Sequence, residues 1–466
     1  MEQGHTVKKP LIETRSIDFV PDSERRGRVR DQGPFWFLSN FHFFSIAVGF
    51  VGPSMGLSLA GTLLASFIGV VIGTTFQAFH ATQGPHLGLP QMIQSRAQFG
   101  FRGVIVPLFA ALLSPLAFNI VAAVLIADGV SHIFGVTRGA VMLAVALASG
   151  LLAVFGYDWL HRVFKLLFWI SLPLIGCLTI AIATGHAWGN LHPATGFNWP
   201  AFFTQLATAA SFNLGLAPYV SDYSRYLPKT TSRWNIIGQV FAGSASSAIW
   251  LIGLGAWLAT RFNATDSLVS MMQAGNGIFH GFGLVLAISS ICVLTAVVAM
   301  NSYSGMLIFV TAADSICPVN PTKRLRVLAI VGFTVVWGAI ATSLNGNAIT
   351  YVNAAMVACL YALVPWTAVN LVDYFIVRRG QYSINDLFSP QGLYGTWGMR
   401  GLVSYALGFL TSIPFFVVPS VFTGLVADRL GGVDIGWLVG LIVSAGAYLA
   451  WGALSPVESE APVTAS

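Results

Sequence analysis

Stretches of about twenty predominantly apolar residues recur along almost the whole chain. They lie near 35–56, 60–80, 103–127, 138–157, 164–185, 200–221, 235–260, 278–313, 326–343, 347–376, 401–426 and 434–453. A segment of that length and character spans a bilayer as a helix. Inside lipid, only helices and closed barrels satisfy every backbone amide and carbonyl. The pattern therefore predicts an all-α polytopic membrane protein of about twelve transmembrane helices. With 9% charged residues against 55% hydrophobic, the chain falls far below the roughly 25% charge of soluble domains.

The charges that remain are unevenly placed. Of 23 Lys and Arg, all but Arg138, Arg261 and Arg429 fall in segments on the same side as the N-terminus. The positive-inside rule then assigns both termini and the 81–102 loop to the cytoplasm of a plasma or bacterial inner membrane. The basic residues are scattered over short loops, so the net charge of +6 does not point to nucleic acid. Residues 1–33 are polar and basic without an apolar core, and are expected to be a cytoplasmic tail rather than a cleaved leader. The four cysteines lie in or beside apolar segments without metal-binding spacing and read as small buried hydrophobes.

Two spans contain residues that a helix tolerates poorly. Span one reads GFVGPSMGLSLAG (49–61), with Gly52, Pro53 and Gly56; span six reads SFNLGLAPYVSDYSRYLP, with Gly215 and Pro218. The spacings Gly52–Gly56 and Gly69–Gly73 also fit close helix packing, but Pro53 removes an amide and clashes with the preceding turn. Interrupted spans in corresponding halves point to an inverted-repeat transporter whose site lies at the membrane midplane. The expected organisation is a tail (1–33), repeat one (34–185), repeat two (200–377), two further spans (400–453) and a second tail (454–466).

Four segments carry a resemblance to nucleobase–cation symporter family one, the cytosine/purine/allantoin permeases. They are GFVGPSMGLSLAG, HLGLPQMIQSRAQFGFRG (86–103), APYVSDYSRYLP (217–228) and PWTAVNLVDYFIVRRGQY (365–382). The resemblance implies a leucine-transporter-like fold, a 5+5 inverted repeat with broken spans one and six. It also implies cation- or proton-coupled uptake of a nucleobase or related planar nitrogen heterocycle by alternating access. Its aromatic and polar positions fall on Phe118 and Asn119 of span three, Phe212 and Asn213 of span six, and Asn301 of span eight. An aromatic face stacks on any π-system, and an amide offers donor and acceptor together. An asparagine in a span also serves to bond a neighbouring helix.

The resemblance further implies a sodium site between span-one carbonyls, near Gly49, and hydroxyls on span eight. Here those hydroxyl positions are Thr295 and Ala296, so one ligand is missing and a proton is a rival; beyond a possible sodium ion, neither metal nor cofactor is expected. Among ionisable residues at membrane depth, His42 titrates near neutral pH in the unperturbed state. Asp222 and Arg225, three apart on a helix, could pair as a gate or at the interface. The expected partners are a small-molecule substrate, a coupling cation and the bilayer. No HExxH, GxSxG or repeated ion filter is present, which argues against an enzyme or a channel. The remaining alternative is an amino-acid or other small-solute symporter of the same fold.

Overall fold

The computed structural model describes residues 13, 15–185, 196–320, 322–344, 348–418 and 421–454. The first twelve residues of the expected N-terminal tail, and the C-terminal tail beyond Leu454, lie outside the described residues. Long helices occupy most of the apolar windows: Leu59–Ala81 (span two), Ile105–Phe134 (three), Arg138–Phe155 (four), Tyr157–Ala183 (five) and Arg233–Phe262 (seven). They continue with Phe282–Ile316 (eight), Lys323–Ser343 (nine), Ala348–Val372 (ten) and Gly436–Leu454 (twelve). Among the described residues, eight helices are long and apolar enough to cross a membrane singly, and a bent pair in window one makes nine.

Windows six and eleven fall short of that length, each for a visible reason. Span six is cut into Trp199–Leu214 and Val220–Ser224 by a turn over Ala217–Tyr219, with Gly215 and Pro218 inside the interruption. The window expected at 401–426 is helical only over Met399–Ser412. Pro414 cannot continue the amide ladder, and the chain turns into a short antiparallel hairpin pairing Val417 with Thr423. A helix the windows did not anticipate, Ser267–Asn276, follows span seven and packs chiefly on spans eight and three; Asp266 caps it by accepting from the amides of Leu268 and Val269.

Burial shows which spans form the interior. The most apolar stretch of span ten is 78% buried and those of spans three and eight 67%, against 22% for span five and 28% for span four. Spans four and five therefore present most of their surface to lipid. Small residues set the closest contacts. A Cβ on Gly69 or Gly73 would lie 2.3 or 2.0 Å from the carbonyl oxygens of Leu206 or Ala210, so this GxxxG face is where span two packs on span six.

Span one corrects an expectation. Its bend of 58° separates Val29–Leu38 from Phe43–Ser54, so the break falls over Ser39–His42 and not at Gly52-Pro53. Gly52, Pro53 and Gly56 instead shape the far end of the span. Gly56 adopts φ +79°, which glycine tolerates. The Gly52 amide donates to Gln205 Oε1 at 2.7 Å, and Gln205 Nε2 reaches the Val48 carbonyl at 3.3 Å and Ser66 Oγ at 3.0 Å. A span-six side chain thus stands in for the missing helical bond. A Cβ on Gly52 would sit 2.6 Å from Thr62 Oγ1 and 3.3 Å from Gln205 Oε1, which explains a glycine here.

The clamp yields a first prediction. Gln205→Leu leaves the buried Gly52 amide without its partner, at a cost of roughly 1–3 kcal/mol. Thermal unfolding of purified protein should shift clearly downward, whereas Gln205→Glu, which retains an acceptor, should lose less. An unchanged midpoint for Gln205→Leu would show that the amide finds another partner.

Candidate functional site

The break in span one contains neither glycine nor proline. Four side chains hold it open. Ser39 Oγ donates to the Trp36 carbonyl (2.7 Å), and Asn40 Nδ2 donates to Asn213 Oδ1 (2.7 Å) and the Ser244 carbonyl (3.1 Å). His42 Nε2 lies 2.9 Å from the Ser39 carbonyl, and Ser45 Oγ donates to the Asn40 carbonyl. The first amide of the second segment, that of Phe43, donates to Ser290 Oγ of span eight at 3.0 Å. The break in span six is met in the same way: Ser114 Oγ of span three donates to the Gly215 carbonyl at 2.5 Å. Buried backbone groups without such partners would cost several kcal/mol each.

The two breaks face one small cavity. Its walls include Ser39, Asn40 and His42 from the first break, Phe118, Phe212 and Asn301. Phe44 joins these rings: Phe44–Phe118, Phe44–Phe212 and Phe118–Phe212 have centroids 6.1, 5.5 and 6.1 Å apart, all edge-on. Gly215 is a glycine because Phe118 packs on it; a Cβ there would lie 2.5 Å from the ring. Asn301 Oδ1 accepts from the Tyr219 hydroxyl at 3.1 Å, which leaves its Nδ2 as the group it can offer. His42 Nδ1 is buried and has no partner among the described residues. With Nε2 donating to the Ser39 carbonyl, a neutral imidazole presents Nδ1 as an acceptor. The cavity therefore combines three aromatic rings with a donor on Asn301 and an acceptor on His42. Its volume is about 10 Å³, close to the minimum that holds one water.

The other expected site residues lie elsewhere. Asn119 ties span three to span eight by donating to the Val298 carbonyl (3.2 Å) and Ser302 Oγ (3.0 Å). Asn213 accepts from Asn40 and donates to Thr74 Oγ1 at 2.5 Å, bracing the break from behind. Gly49, expected near the cation, packs on span seven, where a Cβ would lie 2.1 Å from the Ile252 carbonyl oxygen. Thr295 is half-buried beside the buried Ala296 on span eight. The carbonyls of Ser39, Asn40 and His42 are already engaged by His42, Ser45 Oγ and the Ser45 amide.

Asp222 and Arg225 form no ion pair with each other, contrary to their helical spacing. The helix ends at Ser224 with Arg225 as its cap, and the two side chains reach different partners. Asp222 Oδ1 accepts from the Gln91 amide at 3.1 Å in the segment after span two. Arg225 pairs instead with Glu13 of the N-terminal tail, 3.5 Å away. Glu13 also pairs with Arg326 of span nine (3.1 Å) and accepts from Tyr303 of span eight (3.0 Å), Tyr226, and the Tyr157 amide that starts span five (3.1 Å). One tail carboxylate thus joins spans five, six, eight and nine on the face that carries the N-terminus. Sequence reading passed over Glu13, one acidic residue in a mixed-charge tail. Phe44, one phenylalanine among 34, gave no signal either. The polar run Ser39-Asn40-Phe41-His42 inside an apolar window was a legible sign of the break.

Comparison with known proteins places this geometry in context. A profile of the permeases for cytosine/purines, uracil, thiamine and allantoin matches residues 19–440. The chain is 32% identical to the putative purine-cytosine permease YxlA of Bacillus subtilis over 442 residues, covering 94% of this chain and 95% of that one. It is 24% identical to the purine-cytosine permease FCY2 of Saccharomyces cerevisiae, covering 96% and 86% of the two chains. Among solved structures, it superposes on Mhp1, a nucleobase-cation-symport-1 family transporter in a closed conformation with bromovinylhydantoin bound, with a TM-score of 0.70 at 17% identity over 96% and 97% of the chains. That likeness gives the fold: an all-α, leucine-transporter-like polytopic membrane protein.

The tail contact supplies a second prediction. Glu13→Gln leaves Arg225 and Arg326 with no carboxylate between them, and removing one partner of a buried pair typically destabilises by roughly 3–5 kcal/mol. In a cysteine-free background, Ser304→Cys, fully buried on span eight, should react with a thiol reagent at least tenfold faster once Glu13→Gln is added. Equal rates would mean that Glu13 does not hold this face closed.

Proposed function

Because the chain belongs to the permease family for cytosine/purines, uracil, thiamine and allantoin, we propose that it takes up a nucleobase or a related planar nitrogen heterocycle by cation- or proton-coupled alternating access. It is a permease, not an enzyme. The observation that carries the substrate class is the cavity at the paired breaks. Three phenylalanines offer π-faces that stack on any heterocycle, and Asn301 Nδ2 with His42 Nδ1 matches an edge that carries one acceptor and one donor. An amino-acid substrate would instead need an anion site at a half-helix N-terminus, and the first amide of the segment after the break, that of Phe43, already donates to Ser290 Oγ.

Loading requires movement. A base stacked between two rings needs their planes about 7 Å apart and roughly parallel, whereas Phe118 and Phe212 meet at 61° with centroids 6.1 Å apart. The rings must therefore part and rotate. The hinge for this motion is the Ser39–His42 break, because the half of span one that carries Phe44 turns on it. The N-terminal face, closed here by Glu13, is read as cytoplasmic from the distribution of Lys and Arg.

For coupling, the proton is the favoured reading. A hard cation takes several oxygen ligands, and here Thr295 lacks a second hydroxyl beside it while three break carbonyls already accept hydrogen bonds. Uptake should persist when sodium is replaced by potassium and fall when a protonophore is added at fixed membrane potential. A strict sodium requirement would overturn this reading of coupling without touching the substrate class.

The substrate reading is tested with a labelled panel of cytosine, adenine, hypoxanthine, uracil, allantoin and hydantoin. Stacking contributes roughly 1–3 kcal/mol per base and barely discriminates, so Phe118→Tyr should change apparent affinity little and Phe118→Ala should weaken all substrates about equally. Discrimination falls to the polar groups: Asn301→Ala and His42→Phe should each abolish uptake of the best substrate while the protein still reaches the membrane. A correctly inserted Asn301→Ala that transports the same panel in the same order would remove Asn301 from the site. Asn119→Ala and Asn213→Ala, by contrast, should lower thermal stability and leave the order of preference unchanged.

A further inference from the structure

Away from the central cavity, a cleft of about 890 Å³ opens between the N-terminal tail and the first turns of span five. Its floor is built on helical spacing. Arg162, Lys165 and Trp169 follow one another by three and four residues, so they line one face of span five. The rise of the helix places Trp169 about 10 Å deeper into the bundle than Arg162. Trp169 is 65% exposed, and its neighbour Leu166 is 62% exposed. The opposite wall carries Arg26 and Arg30 of the tail. That wall is fixed: the Gly27 amide donates to the Tyr226 carbonyl (2.9 Å), the Val20 amide to Gly88 (2.9 Å), and Arg25 Nη1 to Pro85 (2.7 Å).

The charges in the cleft are unbalanced. Glu13 is consumed by Arg225 and Arg326, and Glu24 by Arg15 at 2.5 Å. Asp158 has a partner of its own, which leaves Asp31 as the acidic counterweight. Arg26, Arg30, Arg162 and Lys165 are all exposed, and none forms an ion pair with a described residue. Four cations at the rim against the one remaining carboxylate of Asp31, with an exposed tryptophan below them on a lipid-facing helix, reproduce the polarity profile of a phospholipid: phosphate at the surface, acyl chain beneath.

We propose that this cleft is a binding site for an anionic glycerophospholipid, its phosphate held by Arg162 and Lys165 from span five and by Arg26 and Arg30 from the tail, its acyl chain lying along Trp169. This site is independent of the substrate reading, since it requires only that span five faces the bilayer. It would couple lipid composition to the tail that carries Glu13, because the lipid would bridge that tail to span five.

The test uses the full-length protein purified in a neutral detergent, with lipid adducts counted by native mass spectrometry. Phosphatidylglycerol should bind in preference to phosphatidylcholine of the same acyl chains. Each basic side chain near a lipid surface contributes roughly fivefold in affinity, so Arg162→Ala/Lys165→Ala should weaken phosphatidylglycerol binding about thirtyfold. Arg26→Ala/Arg30→Ala, on the other wall, should do the same and serves as the second variant should the first be unstable. Lys323→Ala/Arg324→Ala, an exposed basic pair on the same face but outside the cleft, should leave binding within about twofold. Equal binding of the two lipids, or equal losses in the cleft and control pairs, would overturn the proposal. Displacement of the lipid by millimolar glycerol phosphate or inorganic phosphate would show that the cleft takes a free phosphate and not a lipid, which also overturns it.

Discussion

A helix interrupted inside a bilayer exposes amides and carbonyls to a medium that cannot hydrogen-bond them, and the rest of this structure follows from how that demand is met. At Ser39–His42 and at Gly215–Tyr219 the freed backbone groups are taken up by Ser39, His42, Ser45, Ser290 and Ser114. Three of these come from the break itself or the turn after it, and Ser290 and Ser114 from spans eight and three. The breaks therefore hold their shape only while four spans stay together. That dependence makes the paired breaks a tightly constrained part of the molecule, and only the polar groups they do not consume are left for the proposed substrate.

The same physics sorts the asparagines. Asn40, Asn119, Asn213 and Asn301 are all buried in spans, yet three of them spend their amides on neighbouring helices or on the break. Asn301 alone among the four lines the cavity with its Nδ2 unbonded, because the Tyr219 hydroxyl engages the other end of its amide. Tyr219 lies in the turn of the span-six break, so that break orients the amide as well as opening the helix.

Closure of the opposite ends is of a different kind. On the N-terminal face, one carboxylate meets two guanidinium groups and two tyrosine hydroxyls, a contact that ties the tail to spans six, eight and nine. A charge cluster of this kind is either made or lost, which suits a two-state gate better than graded apolar packing does. Segment 81–102 does not share this role. Its side chains are almost all buried, Arg96 against Asp314 at 2.8 Å and Gln98 against Asp373 at 2.7 Å. The motif that contributed to the family resemblance therefore holds spans eight and ten in place beside the Glu13 cluster.

The number of apolar windows, their approximate limits, the basic asymmetry and the interruption of span six were legible in the sequence, because hydrophobic length and the effects of glycine and proline are properties of a local stretch. Phe118, Phe212, Asn301 and His42 could be singled out and do line one cavity. The position of the span-one break was misread, since Gly52 and Pro53 resolve through Gln205, a residue 153 positions away in the chain. Gly49, Asn119 and Asn213 belong to packing, and Arg225 to Glu13. By itself the sequence determined that the chain must lie in a membrane and that span six could not run unbroken. Only the tertiary structure decided which polar side chains are consumed by the backbone and which remain free, because each such group bonds to whatever another span brings within 3 Å.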